Sequence, residues 1–226
     1  MTAQGLIFDF NGTMFFDSPF QERSWTEYLT DAIGREVTME ELMQYMHGRH
    51  VAETFSYFFG RPVENDEAFA LGAQVEQIYR RMCLQAGEDF CLAPGLVHLL
   101  DEVKEKGIPC TIATASSRGN VEFFFENLGL SRWFDLERVM FNDGSFPGKP
   151  APDIFLKAAQ KLGVQASQCV IFEDAISGLQ AARSARAGKV VAIASTMPRQ
   201  QLQPLADVIL DDYRQTSLEE LLQLGE

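Results

Sequence analysis

The sequence contains few of the residues from which metal or disulfide scaffolds are built. Its four cysteines, Cys83, Cys91, Cys110 and Cys169, show no CxxC spacing and no neighbouring histidine cluster. Neither a zinc site nor a disulfide framework is therefore indicated. We also expect no signal peptide, since residues 1–5 contain no basic residue. No apolar run reaches the ~20 residues that a membrane-spanning helix needs. We expect a cytoplasmic protein with reduced thiols and no membrane partner.

Positive charge is scarce as well. The 19 lysines and arginines stand against 32 aspartates and glutamates, which gives a formal net charge of −13 at pH 7. This balance repels nucleic acid and acidic lipid surfaces, so small molecules are the expected partners. The 226 residues, 46% of them hydrophobic, suit one large domain or a core domain that carries an insert. The sequence gives no indication of the oligomeric state.

Short apolar runs alternate with helical patterns along much of the chain. The runs are residues 6–10, 108–114, 169–172, 190–194 and 208–210. Pro94 and Gly107 bracket one helical pattern, and others cover residues 121–128, 154–162 and 175–187. This alternation is typical of a parallel sheet with helices on both faces. We predict an α/β fold whose core is a doubly wound, Rossmann-like sheet.

The segment after the first apolar run has a different texture. It holds several helical patterns in succession and no convincing strand, including a capping-box pattern at residues 38–41 and a longer helix at residues 65–81. We predict that residues 17–85 form an inserted helical bundle. The α/β core would then comprise residues 1–16 together with residues 86–226.

Polar side chains follow three of the predicted strands. In a doubly wound sheet, ligands bind outside the carboxyl ends of the strands. Carboxylates there can hold Mg²⁺, hydroxyls and loop amides can hold phosphate oxygens, and a lysine can neutralise both phosphate and nucleophile. These residues therefore predict a phosphoryl-transfer site. They are Asp9, Asn11, Thr13, Thr114, Ala115, Ser116, Glu173 and Asp174, together with Lys149 from a Pro- and Gly-rich loop.

The arrangement of these residues resembles the haloacid dehalogenase superfamily, within its branch of phosphatases and β-phosphoglucomutases. Residues 9–13 (DFNGT) are similar to the first family motif, and Thr114 to the second. Lys149 in the segment GKPAPDIF is similar to the third motif, and residues 172–175 (FEDA) with Gly178 to the fourth. The resemblance covers nearly the whole chain, and the helical insert matches that branch's cap domain in position and length.

The resemblance implies an enzyme that transfers a phosphoryl group by way of an aspartyl-phosphate on Asp9. It implies Mg²⁺ held by Asp9, the Asn11 carbonyl and Asp174, with Glu173 nearby. Thr114 would bind the phosphoryl group, and Lys149 would hold the charge cluster together. The substrate would be a small phosphorylated metabolite contacted by Thr13, Ala115 and Ser116, and by the cap residues Arg49 and His50.

One position departs from the family pattern. Phosphatases and mutases of this kind carry a second aspartate two residues after the nucleophile, as general acid and then base, whereas this chain has Asn11. An amide cannot shuttle a proton near neutral pH, so a rate contribution of ~10²–10⁴ is absent. Either the asparagine is natural, or it is an engineered substitution that slows turnover. We expect a hydrolase, a phosphatase of small metabolites, that lacks the usual general acid.

Four other functions can be compared with the same residues. Hydrolytic dehalogenases of the superfamily usually have Ser-Asn-Gly where this chain has Thr114-Ala115-Ser116. Phosphonoacetaldehyde hydrolases need a lysine in the cap, whereas the first lysine of this chain is Lys104. A β-phosphoglucomutase-like mutase is the first alternative, although Gln21 stands where such enzymes typically offer a histidine. A non-catalytic phosphometabolite-binding protein is the alternative from a different class. Asn11 favours that alternative, and the other motif residues oppose it.

Overall fold

The computed structural model describes residues 1–46, 51–141 and 143–225. It divides into two compact units. One unit contains Met1–Phe16 together with the chain from Cys91 onwards, and the other contains Asp17–Phe90. The chain therefore leaves the first unit after residue 16 and returns to it at residue 91.

The larger unit is built on a five-stranded sheet in the order β2-β1-β3-β4-β5, with every neighbouring pair parallel. Its strands are β1 (Gly5–Phe8), β2 (Cys110–Ile112), β3 (Cys169–Glu173), β4 (Lys189–Ile193) and β5 (Val208–Leu210). Each strand overlaps one of the five apolar runs. The prediction of a doubly wound α/β core is confirmed, because every neighbouring pair of strands is parallel and helices alternate with the strands along this unit.

The second unit is helical in the part that the structure describes. Its helices are α1 (Ser18–Ile33), α2 (Met39–Tyr45), α3 (Val51–Phe59) and α4 (Asn65–Gln85). Thr38 caps α2 by accepting a 3.2 Å hydrogen bond from the backbone N–H of Glu41. The four helices enclose a separate apolar cluster around Leu29, Leu42 and Phe55. Trp25 packs on Phe55 with 5.1 Å between ring centroids, so it belongs to this cluster.

The sheet is covered by helices contributed by the larger unit. They are α5 (Leu96–Glu105), α6 (Arg118–Leu128), α7 (Asp153–Leu162), α8 (Ile176–Ser184), α9 (Arg199–Leu202) and α10 (Leu218–Leu222). Helix α7 buries Ile154, Phe155, Ala158, Ala159 and Leu162, a stripe at helical spacing that packs on β1 and β2. Each large side chain in that stripe contributes roughly 1.5–3 kcal/mol through burial. None of the described helices is both long enough and apolar enough to cross a bilayer.

The second strand differs from its apolar run. The run covers residues 108–114, whereas β2 ends at Ile112 and the chain just beyond it forms an additional bridge with Met140. The backbone N–H of Thr114 donates to the carbonyl of Met140 at 2.9 Å, and the N–H of Met140 donates to the carbonyl of Ile112 at 2.9 Å. This local pairing with Met140 holds Thr114 at the carboxyl end of the sheet.

Candidate functional site

Parallel pairing brings the predicted polar residues to one edge of the sheet. In the β1 register, Phe8 lies opposite Ile112 of β2 and opposite Phe172 of β3. The residues that follow these positions in sequence therefore lie beyond the same edge. They include Asp9 and Asn11 after β1, Thr114 and Ser116 after β2, and Glu173 and Asp174 at the end of β3. The loop before α7 adds Lys149, which contacts Asp9 and Glu173.

The ammonium group of Lys149 lies between two carboxylates. Its Nζ is 2.5 Å from Oδ1 of Asp9 and 2.5 Å from Oε1 of Glu173. All three side chains are buried, with at most 8% of their surface exposed. Burial opposes the charged form of Lys149, but the charges of Asp9 and Glu173 outweigh it and raise the pKa of the lysine. Lys149 therefore keeps its proton and fixes the orientation of both carboxylates.

The second oxygen of Glu173 is held by the backbone. Its Oε2 accepts hydrogen bonds of 2.8 Å from the N–H groups of Asp174 and Ala175, just before α8. Gly178, in the first turn of α8, leaves the space that this carboxylate needs. A Cβ atom at that position would lie 1.7 Å from Oε1 of Glu173. Gly178, which was predicted to belong with the fourth motif, is thus required because the Glu173 side chain lies close to helix α8.

The carboxylate of Asp174 accepts two hydroxyl hydrogen bonds. Thr13 donates to Oδ1 at 3.2 Å, and Thr196 donates to Oδ2 at 2.6 Å. Burial raises the pKa of Asp174 well above its usual range, and the charges of Glu173 and Asp9 raise it further. Burial and the neighbouring carboxylates therefore both disfavour the ionised form of Asp174 in the folded site.

The loop after β1 turns tightly over Asp174. Gly12 adopts a φ of +74°, and a Cβ there would lie 2.2 Å from Oδ2 of Asp174. The carbonyl of Thr13 accepts a 3.2 Å hydrogen bond from the hydroxyl of Tyr213, and the carbonyl of Gly12 accepts one from Ser195. Glycine is needed at position 12 both for the left-handed backbone and for the space beside the carboxylate.

Thr114, Ser116 and Asn11 form a second hydrogen-bonded group at the same edge. The backbone N–H of Ser116 donates to Oγ1 of Thr114 at 3.1 Å, and the Ser116 hydroxyl donates to Oδ1 of Asn11 at 2.6 Å. Thr114 is buried, Ser116 and Asn11 are partly exposed, and Ala115 is exposed. The structure therefore places Asn11 in contact with the loop after β2.

Ser195, Thr196 and Tyr213 contact the site, although the sequence did not single them out. Ser195 and Thr196 follow β4, so the rule that located the other site residues also applies to them. Tyr213 also comes three residues after its strand, β5, but its aromatic side chain resembles that of a core residue, and it contacts the loop after β1 through the carbonyl of Thr13. Burial raises its pKa well above the usual range, as do the charges of Asp174 and Asp9, so it is a neutral donor.

Two of the predicted substrate contacts, Arg49 and His50, lie outside the residues that the structure describes. Within the described ranges, no group of three or more histidine, cysteine, aspartate or glutamate side chains is arranged to hold a metal ion. The two acidic residues at the end of β3 instead have different partners. Glu173 is engaged by Lys149 and by two backbone amides, whereas Asp174 is engaged by two hydroxyls.

The fold and this buried cluster define a parallel α/β protein with a candidate site at the carboxyl ends of its strands. A family model for haloacid dehalogenase-like hydrolases matches residues 3–186. The chain therefore belongs to the haloacid dehalogenase-like hydrolase family, which confirms the resemblance found in its motifs.

Named relatives cover the chain to different extents. Fructose-1-phosphate phosphatase YqaB of Escherichia coli is 32% identical over 183 residues, which are 80% of this chain and 92% of that protein. Hexitol phosphatase A of Escherichia coli is 28% identical over 79% of this chain and 78% of that protein. SUPPRESSOR OF QUENCHING 1, a chloroplastic protein of Arabidopsis thaliana, is 28% identical over 99% of this chain, which spans only 21% of that much longer protein.

Solved structures share the fold over almost the full length. A family IA, variant 3 hydrolase of the same superfamily from Entamoeba histolytica is 36% identical, with a TM-score of 0.91 over 98% of both chains. CbbY from Rhodobacter sphaeroides, solved in complex with phosphate, has a TM-score of 0.81 over 98% of this chain and 100% of that chain. Its identity is 24%, so it supports the fold alone.

Proposed function

We propose that the protein is a Mg²⁺-dependent phosphatase of small phosphorylated metabolites, with Asp9 as the nucleophile. The observation that carries this proposal is the buried contact between Asp9 and Lys149, beside Asp174 at the ligand-binding edge of the sheet. The relatives support the substrate class, since two of them are named as phosphatases of a sugar phosphate and of hexitol phosphates.

Two displacements at phosphorus account for the reaction. A carboxylate oxygen of Asp9 attacks phosphorus, the bond to the leaving oxygen breaks, and that oxygen departs with the electron pair. Water then attacks the phosphorus of the aspartyl-phosphate, the bond to Asp9 breaks, and the proton of the water passes to phosphate or to solvent. Lys149 fixes Asp9 for the attack and offsets the charge that gathers on the phosphoryl oxygens.

The chemistry of the donors fits Mg²⁺. The candidate ligands are the carboxylates of Asp9 and Asp174 and the backbone carbonyl of Asn11, all hard oxygen donors. Mg²⁺ usually binds one or two carboxylates and keeps several waters, so a larger acidic cluster is not required. The like charges that raise the pKa of Asp174 also favour a cation beside it. Bound there, Mg²⁺ would neutralise the phosphoryl oxygens as a Lewis acid.

The donors after β2 suit the transferring phosphoryl group. Thr114 and Ser116 lie on a strand-to-helix turn, and the N–H of Ser116 already contacts Oγ1 of Thr114. We assign Thr114 to the phosphoryl oxygens, with Thr13, Ala115 and Ser116 as further contacts. We assign the helical unit, residues 17–90, to substrate selection as a cap, with Arg49 and His50 as its candidate contacts.

A phosphometabolite-binding protein without turnover is the second candidate, and Asn11 is the residue that favours it. A mutase is less well supported. Gln21, at the position of the expected histidine, donates a 3.1 Å hydrogen bond to Asp17 within the helical unit, and an amide there cannot take a proton from a sugar hydroxyl.

The test uses the purified chain, p-nitrophenyl phosphate and a panel of sugar and hexitol phosphates, with Mg²⁺ or with a chelator. We expect Mg²⁺-dependent release of phosphate, and none from Asp9→Asn. Asp143→Asn, at an exposed loop position, is the matched control and should keep full activity. Repeated release of phosphate would exclude the other two candidates. A binding protein would give at most one equivalent of phosphoenzyme, and a mutase would isomerise a sugar phosphate without net release of phosphate. Parent-level turnover by Asp9→Asn would overturn the assignment.

A further inference from the structure

We propose that Thr196 is a positioning residue that engages one oxygen of Asp174 and thereby makes the site selective for Mg²⁺ over Ca²⁺. The inference rests on the metal assignment of the proposed function, since it concerns the same cation. It adds which oxygen of Asp174 is offered to the cation and which larger cation is disfavoured. It also assigns this discrimination to a residue after β4 that lies outside the four sequence motifs.

The two carboxylate oxygens of Asp174 are held unequally. The Thr196 hydroxyl lies 2.6 Å from Oδ2, at the short end of the range for hydrogen bonds between oxygens. The Thr13 hydroxyl lies 3.2 Å from Oδ1, a long and therefore weaker contact. The Thr196 hydroxyl is also 3.3 Å from the backbone carbonyl of Asp174. Oδ2 is thus the engaged oxygen, whereas Oδ1 has the weaker bond to exchange for a cation.

The loop after β1 closes around the same oxygen. A Cβ atom on Gly12 would lie 2.2 Å from Oδ2 of Asp174 and 3.0 Å from Cγ2 of Thr196, so the Gly12 backbone packs against both groups. The Ser195 hydroxyl donates to the carbonyl of Gly12, which ties the loop after β4 to the loop after β1. Oδ2 is therefore enclosed by the Thr196 hydroxyl and by the backbone of Gly12. Little room remains beside this oxygen for a cation.

A carboxylate with one engaged oxygen suits one divalent cation better than the other. Mg²⁺ demands an octahedral arrangement, keeps several waters and binds through one or two carboxylates. Ca²⁺ takes about 6–8 oxygen ligands and often binds both oxygens of one carboxylate. Selectivity between them depends on the number of ligands and on their flexibility, and the Thr196 hydroxyl limits both at Asp174. We therefore expect Asp174 to supply a single ligand, which favours Mg²⁺.

Thr196→Val tests this role, because it removes the hydroxyl and nearly keeps the shape of the side chain. Thr196 is exposed, so the variant should fold. Loss of a group that orients a metal ligand typically lowers metal affinity by ~10–100-fold, and we expect a fall in this range for Mg²⁺. Ca²⁺ affinity should fall less or rise, because Oδ2 of Asp174 loses its hydroxyl partner. Thr196→Ser keeps the hydroxyl and should retain the parent preference.

The measurement is the pair of dissociation constants for Mg²⁺ and Ca²⁺, obtained by calorimetry without substrate. The readout is therefore independent of turnover, and the thermal midpoint without metal reports the structural effect of each substitution. Thr216→Val is the matched control. Its Oγ1 is buried and has no hydrogen-bond partner among the described residues, so its removal should leave both affinities unchanged. If Thr196 were merely structural, its loss would lower both affinities by the same factor.

Failure of this inference and failure of the proposed function give different results. If the parent releases phosphate with Mg²⁺ and Thr196→Val keeps the parent ratio of the two affinities, the phosphatase stands and the role of Thr196 is overturned. A parent that binds Ca²⁺ as tightly as Mg²⁺ also overturns that role. A parent that binds neither cation overturns the metal assignment and this inference together. If the parent releases no phosphate, the phosphatase is wrong, and the affinities measured without substrate still decide the role of Thr196.

Discussion

Nζ of Lys149 lies 2.5 Å from Oδ1 of Asp9, although 140 positions separate the two residues in the sequence. The same Nζ lies 2.5 Å from Oε1 of Glu173. The contact joins the loop before α7 to the end of β3, and the Asp9 contact joins the same loop to β1. The ion pairs are buried, so each charge depends on its partner for compensation. One side chain thus links three separate segments of the chain and neutralises part of the charge at the site.

Lys149→Met tests this link. The substitution keeps the length and apolar stem of the side chain but leaves Asp9 and Glu173 as buried carboxylates without their shared cation. Removing one partner of a buried pair typically costs about 3–5 kcal/mol. We expect a loss of this order in the free energy of unfolding, measured with denaturant, together with loss of phosphoryl transfer. Lys157→Met, on the exposed face of α7, is the control and should leave both nearly unchanged.

The metal assignment predicts opposite effects on binding and on stability at Asp174. Burial and the charges of Glu173 and Asp9 raise the pKa of this carboxyl in the folded state. The ionised carboxyl therefore destabilises the folded state, and this effect develops as the pH rises above the pKa that the group has in the unfolded chain. Asp174→Asn removes that charge while keeping the shape. We expect a higher thermal midpoint than in the parent when both are measured without Mg²⁺ at neutral pH.

The same variant should lose its response to Mg²⁺. The parent should gain stability as Mg²⁺ is added, because a ligand that binds only the folded state shifts the equilibrium towards it. Asp174→Asn should show little such gain, and calorimetry should show weaker binding. Unchanged Mg²⁺ affinity would move the metal away from Asp174. Asp211→Asn, an exposed carboxylate after β5, serves as the charge-matched control.

Much of the α/β core, and the gathering of the candidate site residues at one edge of its sheet, could be predicted from the sequence because both depend on local patterns. Five apolar runs identified the strands, and parallel pairing then required that residues at their carboxyl ends meet. What could not be predicted depends on contacts between distant segments. The pairing of Thr114 with Met140 and the support of Thr13 by Tyr213 leave no periodic signal. Thr196 was accessible to the same strand-end rule, but its hydroxyl resembles that of any capping residue.

Gly178 offers a test of the packing between α8 and Glu173. A Cβ at this position would lie 1.7 Å from Oε1 and 2.5 Å from Oε2 of the carboxylate. Gly178→Ala must therefore displace Glu173 and disturb its contact with Lys149. Overpacking of this kind typically costs about 1–3 kcal/mol. We expect a loss of stability in this range and a fall in kcat, measured by denaturant unfolding and by phosphate release.

Gly72→Ala is the matched control, because Gly72 also lies within a helix but has room for a methyl group. The nearest atom to an added Cβ there is Cγ1 of Val51, at an ordinary contact distance of 3.7 Å. Alanine favours the helix by up to about 1 kcal/mol relative to glycine. Gly72→Ala should therefore stabilise the chain or leave it unchanged. A comparable loss in both variants would show that the clash with Glu173 is not the cause.

The four thiols should react at very different rates in the folded protein. Burial raises the pKa of Cys83, Cys110 and Cys169 to about 12 in each case, whereas Cys91 is exposed. The thiolate is the reactive form, and a pKa of about 12 keeps these three groups protonated at pH 8. With an aromatic disulfide reagent we expect one fast-reacting thiol per chain in native buffer and all four after denaturation. Cys91→Ser should abolish the fast phase, whereas Cys83→Ser should leave it intact. A fast phase that survives in Cys91→Ser would show that one of the other three thiols reacts with solvent reagents in the native state.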